Sequence, residues 1–364
     1  MLPSLRPRST AILRAIPSLT PPSVRPAIAT TRQLSTPPHT QAPESKQNPT
    51  ILLQDKQNGF GFARSNPRPK KPRMKGVTEI RGPYYSVLPS LLHLSIPELL
   101  YAVRLMMGDR LWESGIWLMY SRRSFSLFPE KQLRELMDLA HEHGVYVSTG
   151  GWAEHLLTHA DTGSIFEKYL LKCKDLGFSL LPFPPIFPQS TISILTRIRF
   201  DVIELSSGFL SFPSSDWLRL IDTVHSHNLI AKPELGIQFG AGGDTSASEL
   251  SAIGTSDPGK LINLGRQFLD AGVERLMIES EGITENVKAW RTDVVSTIMK
   301  ELPMERVMFE AADPKVYNWY VREFGVDVNL FVDHAQIVQL ECLRRGIWGM
   351  ADTFGKVVSY RPTE

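Results

Sequence analysis

Val202-Ile203-Glu204, Ile230-Ala231-Lys232-Pro233-Glu234, Leu276-Met277-Ile278-Glu279 and Val307-Met308-Phe309-Glu310 are four short apolar runs that each end on a glutamate. Each is followed by a polar or glycine-containing turn and then by an amphipathic helical stretch. A buried strand does not keep a carboxylate at its tip unless something cationic or protic meets it there. If the four strands are parallel neighbours, their glutamates converge on one rim, where α/β proteins place their chemistry.

Outward from these runs the same alternation continues. Val77 to Arg81 is a short apolar run, followed by helical patterns over Ile96 to Met107 and Pro129 to His143, the latter stopped by Gly144. Val145 to Ser148 reads as a strand ending in Thr149-Gly150-Gly151. Helices are expected over 165–176, 216–227, 260–271, 289–302, 314–324 and 335–345, with a last strand over Val328 to Phe331. Counting the ragged stretch Leu111 to Met119, that makes eight strand–helix units over roughly 280 residues, close to the ~250 of a (β/α)8 barrel. A doubly wound open sheet is the alternative, but no G-x-G-x-x-G turn follows the first strand. The expectation is therefore a single-domain α/β barrel of the TIM type over residues 75–356, followed by a short tail, 357–364.

The chain has 364 residues, 42% hydrophobic and 21% charged, with a formal net charge of +2. Basic residues concentrate before Lys75, so the remainder is mildly acidic. That argues against nucleic acid as the partner of the folded part. No apolar run approaches a membrane span. Residues 1–43 carry Arg6, Arg8, Arg14, Arg25 and Arg32, many Ser, Thr and Pro, and no acidic residue. This is transit-peptide composition, and a disordered N-terminal extension with a mitochondrial address is expected, the cytoplasm being the alternative. Residues 44–74 read as a flexible linker. Residues 179–200 carry four prolines and no acidic residue, and interrupt a normal αβ connection; they and Leu111 to Arg123 read as translated intron or shifted splice-site sequence. Gly240 to Gly259, rich in Gly, Ser and Asp, would lie on the rim as a lid or as a solvated insert.

Several stretches in order resemble the phosphosulfolactate synthase family, in its fungal and plant forms more than its archaeal ones. They are Lys75-Gly76-Val77-Thr78, Gly150-Gly151, Ile203 to Gly208, Glu234-Leu235-Gly236, Ile278-Glu279, Phe309-Glu310-Ala311, Phe324-Gly325, Val328-Asn329-Leu330, Leu340 to Gly346 and Asp352 to Lys356. The resemblance implies a (β/α)8 barrel that adds sulfite to phosphoenolpyruvate with Mg²⁺, or a related enolate-forming lyase. It also implies a small phosphorylated or anionic substrate. A homo-oligomer is compatible with it. The family chemistry needs a cation to hold the enolate and a general acid to protonate it.

The departures from the family pattern all remove cations. Gln238 stands where a lysine acid is expected after the Glu-x-Gly strand end, and glutamine delivers no proton at neutral pH. Arg81-Gly82 replaces an Asp-Lys-Gly, Glu113 to Trp117 replaces a Lys-Phe-Gly-like end, and Glu279 to Gly282 lacks the family's arginine. Candidate roles follow: Glu204, Glu279 and Glu310 for the metal; Glu234, with Lys232 or Lys315, for catalysis; Arg81, Gly150, Gly151, Ser206, Gln238 and Asn329 for substrate. Hard oxygen ligands suit Mg²⁺, which takes one or two carboxylates and keeps waters, so the remaining glutamates would hold basic partners. The competing reading is a catalytically inactive relative with a binding or stress-protective role.

Overall fold

The computed structural model describes residues 66, 68–69, 73–81, 116–119, 129–142, 146–158, 161–176, 200–206, 210–238, 241 and 257–359, all within one compact unit, residues 51–364. The extension 1–43, the helix expected over 96–107 and most of the Gly240–Gly259 loop lie outside the described residues. Eight parallel strands close into a barrel in sequence order: β1 (Thr78–Arg81), β2 (Ile116–Met119), β3 (Val147–Ser148), β4 (Phe200–Ser206), β5 (Ile230–Leu235), β6 (Leu276–Ile278), β7 (Val307–Glu310) and β8 (Asn329–Asp333). Pairing of β1 with β8, Thr78 opposite Leu330 through Arg81 opposite Asp333, completes the ring and excludes the open sheet. The ragged stretch Leu111 to Arg123 contains β2. The proline-rich stretch 179–200 ends inside β4, because Phe200 pairs with Val147.

The described helices are α1 (Glu130–Glu142), α2 (Trp152–Leu157), α3 (Thr162–Leu176), α4 (Ser214–Ser226), α5 (Gly259–Asp270), α6 (Thr292–Glu301), α7 (Pro314–Phe324) and α8 (Ile337–Arg344). None is long and apolar enough to cross a membrane. Apolar residues spaced at helical period face the sheet: Leu261, Ile262 and Phe268 on α5, and Val294, Val295 and Ile298 on α6. α7 shows why the boundaries were readable. Asp313 accepts a hydrogen bond from the Lys315 backbone N–H (2.6 Å), Pro314 fixes the first turn, and Gly325 (φ +82°) supplies the left-handed exit. On its inner face Tyr320 stacks on Phe309 of β7, with ring centroids 4.9 Å apart.

Alternation along each strand divides the barrel's two packing zones. Odd residues of β6 and β8 and even residues of β7 point inward, so Val77, Met277, Met308 and Phe331 form a small apolar cluster inside the ring. The much larger cluster, including Ile203, Ile278, Phe309 and Leu330, lies between sheet and helices.

The C-terminal block Leu340 to Gly346 is a brace. Arg344 is fully buried and donates to the carbonyls of Val326 (2.5 Å), Val328 (2.8 Å) and Val77 (3.3 Å), tying α8 to the entries of β8 and β1. Burial holds its guanidinium well below the ordinary arginine value. Arg345 pairs with Glu341 (2.8 Å), which also meets Arg68 (3.3 Å). The described part of the 44–74 stretch is therefore no free linker. Asn66 donates to the carbonyls of Arg344 (3.0 Å) and Val357 (2.9 Å), and accepts from the Ser359 N–H (3.1 Å). Isolated polar side chains on backbone carbonyls make these contacts, and such contacts leave no apolar period in the sequence. Replacing Arg344 by Met is expected to cost about 3 kcal/mol, since it strands carbonyls that a charged donor satisfies; urea unfolding of the two proteins measures it.

Candidate active site at the carboxylate rim

Three of the four strand-end glutamates reach the C-terminal rim. Glu310 is the last residue of β7, Glu279 follows β6 directly, and Glu234 lies one residue from the end of β5. Glu204 is corrected to a deeper position, because β4 continues to Ser206: the register sets Glu204 beside Lys232 and Ser206 beside Glu234.

The deeper layer is a buried ion cluster. Lys232, 2% exposed, pairs with Glu79 and lies 2.9 Å from Glu204 Oε2. Glu79, wholly buried on β1, also accepts from the Tyr146 hydroxyl at 2.8 Å. Burial works against the Lys232 charge, but Glu79 and Glu204 outweigh it and hold its pKa above the ordinary lysine value. Burial, and the charges of Glu79 and Glu310, push the Glu204 carboxyl up despite Lys232. Lys232 is therefore a charged clamp that fixes Glu204, whose Oε1 lies 4.0 Å from where a Cβ on Gly151 would stand. Gly150 (φ +61°) turns the chain there, and Gly151 leaves that approach open.

Above it lies the carboxylate cluster. Oxygens of Glu279, Glu285 and Glu310 all fall within 4.8 Å of one another. Ser280 threads them: its Oγ donates to Glu285 Oε2 (2.7 Å) and lies 3.1 Å from Glu310 Oε2, and its N–H contacts Glu279 Oε1 (3.1 Å). Arg81 pairs with Glu310 and lies over the Phe331 ring, 5.3 Å from its centroid. Burial, then the charge of Glu310, push Glu279 well above the usual carboxylate range, while hydrogen bonds from Glu279 and Ser280 and the charge of Arg81 keep Glu310 low despite its burial. Three crowded carboxyl groups with hard oxygen donors and one arginine fit a divalent cation. Glu234 stands beside them, half-buried. Burial and the charges of Glu204 and Glu310 raise it well above the carboxylate range, and Ser206 hydrogen-bonds to it.

The other expected residues divide. Gln238 is at the rim, its amide carbon 4.0 Å from the Cβ position of Gly282 in the turn after β6. Lys315 is exposed in the first turn of α7, and among the described residues its side chain makes no ion pair. Asn329, expected to bind substrate, is corrected: it opens β8, at the opposite end of the barrel. Its Oδ1 accepts from the Val77 N–H (2.9 Å) and its amide faces the carbonyls of Met74, Glu305 and Val307 (3.2 Å each), which makes it a plug for strand-entry backbone. Sequence reasoning missed Glu79, Glu285, Tyr146 and Ser280. Period two from Arg81 would have pointed Glu79 inward; Glu285 sits in an irregular turn with no period to read. Of the two thiols, Cys173 is buried and pushed up to about 12 by that burial, so it is no nucleophile at neutral pH.

A closed eight-stranded barrel with a carboxylate rim at the C-terminal ends of its strands has the architecture of a (β/α)8 enzyme scaffold. Residues 66–182 and 189–350 match the (2R)-phospho-3-sulfolactate synthase (ComA) family, and the chain belongs to that family. It is 34% identical over 293 residues to "Protein HEAT-STRESS-ASSOCIATED 32" of Arabidopsis thaliana, covering 78% of this chain and 90% of that one. It is 27% identical over 167 residues to the "Phosphosulfolactate synthase" of Methanothermobacter thermautotrophicus, covering 44% of this chain and 60% of the relative, so less than two thirds of that protein is matched. Among solved structures it is similar to the 3-hexulose-6-phosphate synthase of Salmonella typhimurium, with a TM-score of 0.41, 8% identity, and coverage of 74% of this chain and 98% of that one.

Proposed function

We propose that this protein is a Mg²⁺-dependent lyase of the carbon–sulfur class, adding sulfite to phosphoenolpyruvate or running a closely related enolate-forming reaction. The observation that carries the reading is the convergence of Glu279, Glu285 and Glu310 at the C-terminal rim. The cation, when bound, stabilises the negative charge that develops on the substrate's carboxylate and enolate oxygens. In the addition, the sulfite sulfur donates its lone pair to the methylene carbon of phosphoenolpyruvate, and the enolate electrons then take a proton at the adjacent carbon. Gln238 cannot supply that proton. Glu234 can: burial and the charges of Glu204 and Glu310 raise its carboxyl well above the usual range, and Ser206 hydrogen-bonds to it. Lys232 positions Glu204 beside the Gly150-Gly151 turn.

Purified protein should consume phosphoenolpyruvate only with sulfite and Mg²⁺ together. Mg²⁺ alone should raise stability, by about 2.7 kcal/mol at a hundred times its dissociation constant, and Glu310→Ala should remove the gain in a thermal-shift series. Turnover without Mg²⁺ would count against the proposal. The second reading, a binding or stress-protective role without catalysis, is favoured by Gln238 and by the likeness to the heat-stress-associated plant protein. Retained Mg²⁺ stabilisation with no turnover selects it. A mitochondrial location belongs to the same proposal: residues 1–43 fused to a fluorescent reporter should carry it into mitochondria, and changing their five arginines to Gln should leave it in the cytosol.

A further inference from the structure

One uncharged residue touches all three carboxylates of the rim cluster. Ser280, 6% exposed, comes two residues after β6. Its N–H lies 3.1 Å from Glu279 Oε1 and 3.4 Å from Glu310 Oε2, and its Oγ lies 2.7 Å from Glu285 Oε2 and 3.1 Å from Glu310 Oε2. A serine hydroxyl has a single hydrogen to donate. It goes to the shorter contact, Glu285, because Glu310 already receives Arg81 at its other oxygen and the Ser280 N–H at this one.

The three carboxylates are not held alike. Glu279 and Glu310 are buried and stand at strand ends, where the backbones of β6 and β7 fix them. Glu285 is exposed, in the turn between β6 and α6. The Ser280 carbonyl folds that turn back on itself, accepting from the N–H groups of Ile283 (3.0 Å), Thr284 (2.9 Å) and Glu285 (3.1 Å). This places the backbone of Glu285 but leaves its side chain a choice of rotamers. The charge of Glu310 favours those that turn the carboxylate out to water. The hydroxyl of Ser280 opposes that choice.

We propose that Ser280 is a positioning residue: its hydroxyl draws the Glu285 carboxylate in from the exposed turn and completes the oxygen set begun by Glu279 and Glu310. The inference rests on the reading of this rim as the place of a divalent cation. Carboxylates that ligate metals are themselves held by hydrogen bonds, and losing such a partner costs about 10- to 100-fold in metal affinity. A serine that only closes the turn would act through its backbone carbonyl, which a change of side chain leaves in place.

The test is calorimetric titration of the full chain with Mg²⁺. Ser280→Ala should weaken Mg²⁺ binding about 10- to 100-fold, and Glu285→Ala by about as much. In the double variant the two losses should not add, because the serine acts through the glutamate. Losses that add overturn the inference and assign the serine to Glu310; so does a Ser280→Ala protein that binds Mg²⁺ as the unaltered chain does. Glu285 is exposed, so Glu285→Ala should fold whatever becomes of Ser280→Ala, and unchanged Mg²⁺ affinity in it overturns the inference alone. Failure of the unaltered chain to bind Mg²⁺ refutes the cation reading of the rim as well, whereas the other outcomes leave that reading standing.

Discussion

Glu234→Gln should lower the rate of sulfite-dependent phosphoenolpyruvate consumption by about 10²- to 10⁴-fold, the usual contribution of a positioned general acid. The substitution keeps the shape of the side chain and a hydrogen-bonding partner for Ser206, so the fold should hold; the amide has no transferable proton at neutral pH. Glu234 is raised by burial and by Glu204 and Glu310. The acidic form is therefore the active one, and the rate should fall as pH rises through its elevated value. The variant should lose turnover while keeping its Michaelis constant for phosphoenolpyruvate, because the proton is delivered only in the transition state. Steady-state kinetics across pH checks this. A variant whose rate is unchanged places the acid elsewhere. Gln238→Lys is the companion experiment, restoring the lysine that the family pattern expects after the Glu-x-Gly strand end; a gain in rate there would mean that the proton path runs through the turn rather than the strand.

How far the sequence reached can be judged from single residues. Period two and strand-end glutamates located β5, β6 and β7 and placed Glu234, Glu279 and Glu310 on one rim, because parallel strands buried on both faces leave a carboxylate only where it finds partners. The same logic misplaced Glu204 by one inward-facing position, since the strand runs on through Leu205 and Ser206, which are compatible with either strand or turn. Asn329 was read as a substrate residue, but it opens β8, and a buried asparagine satisfying backbone at a strand entrance has the same residue type as one at a binding rim. Glu79 and its tie to Lys232 span 153 positions of sequence. No local period encodes such a contact; it follows only when the barrel closes β1 onto β8. Arg344 showed in the sequence only as part of the Leu340 to Gly346 stretch, and the carbonyls it holds belong to strand entries rather than to its own helix.

Lys232→Met tests the deepest of these long-range ties. In the folded protein one ammonium serves two carboxylates inside the ring, and all three groups are nearly or wholly inaccessible. Removing it leaves Glu79 and Glu204 facing one another in a low-dielectric interior, and breaking a buried pair in this way costs about 3–5 kcal/mol. For a domain of this size that is a fall in melting temperature of about 10 °C. The sign of the pH dependence separates this cause from lost packing. In the unaltered protein the folded-state pKa of Lys232 lies above 10.5, so its contribution is complete below the unfolded value and fades only as pH rises through the folded one. Glu204 is already raised by burial and by the charges of Glu79 and Glu310; in the variant the opposing charge of Lys232 is gone, so its folded-state value rises further and the folded chain binds the extra proton. The deficit should therefore shrink as pH falls toward about 5 and grow toward neutrality. Adding Glu204→Gln to Lys232→Met should recover a large part of the loss at pH 7, since a single carboxylate with the Tyr146 hydroxyl and an amide beside it no longer faces a like charge. Thermal unfolding of the single and double variants at pH 5 and 7 decides it. A deficit independent of pH, with no recovery in the double variant, would assign Lys232 a packing role through its stem alone.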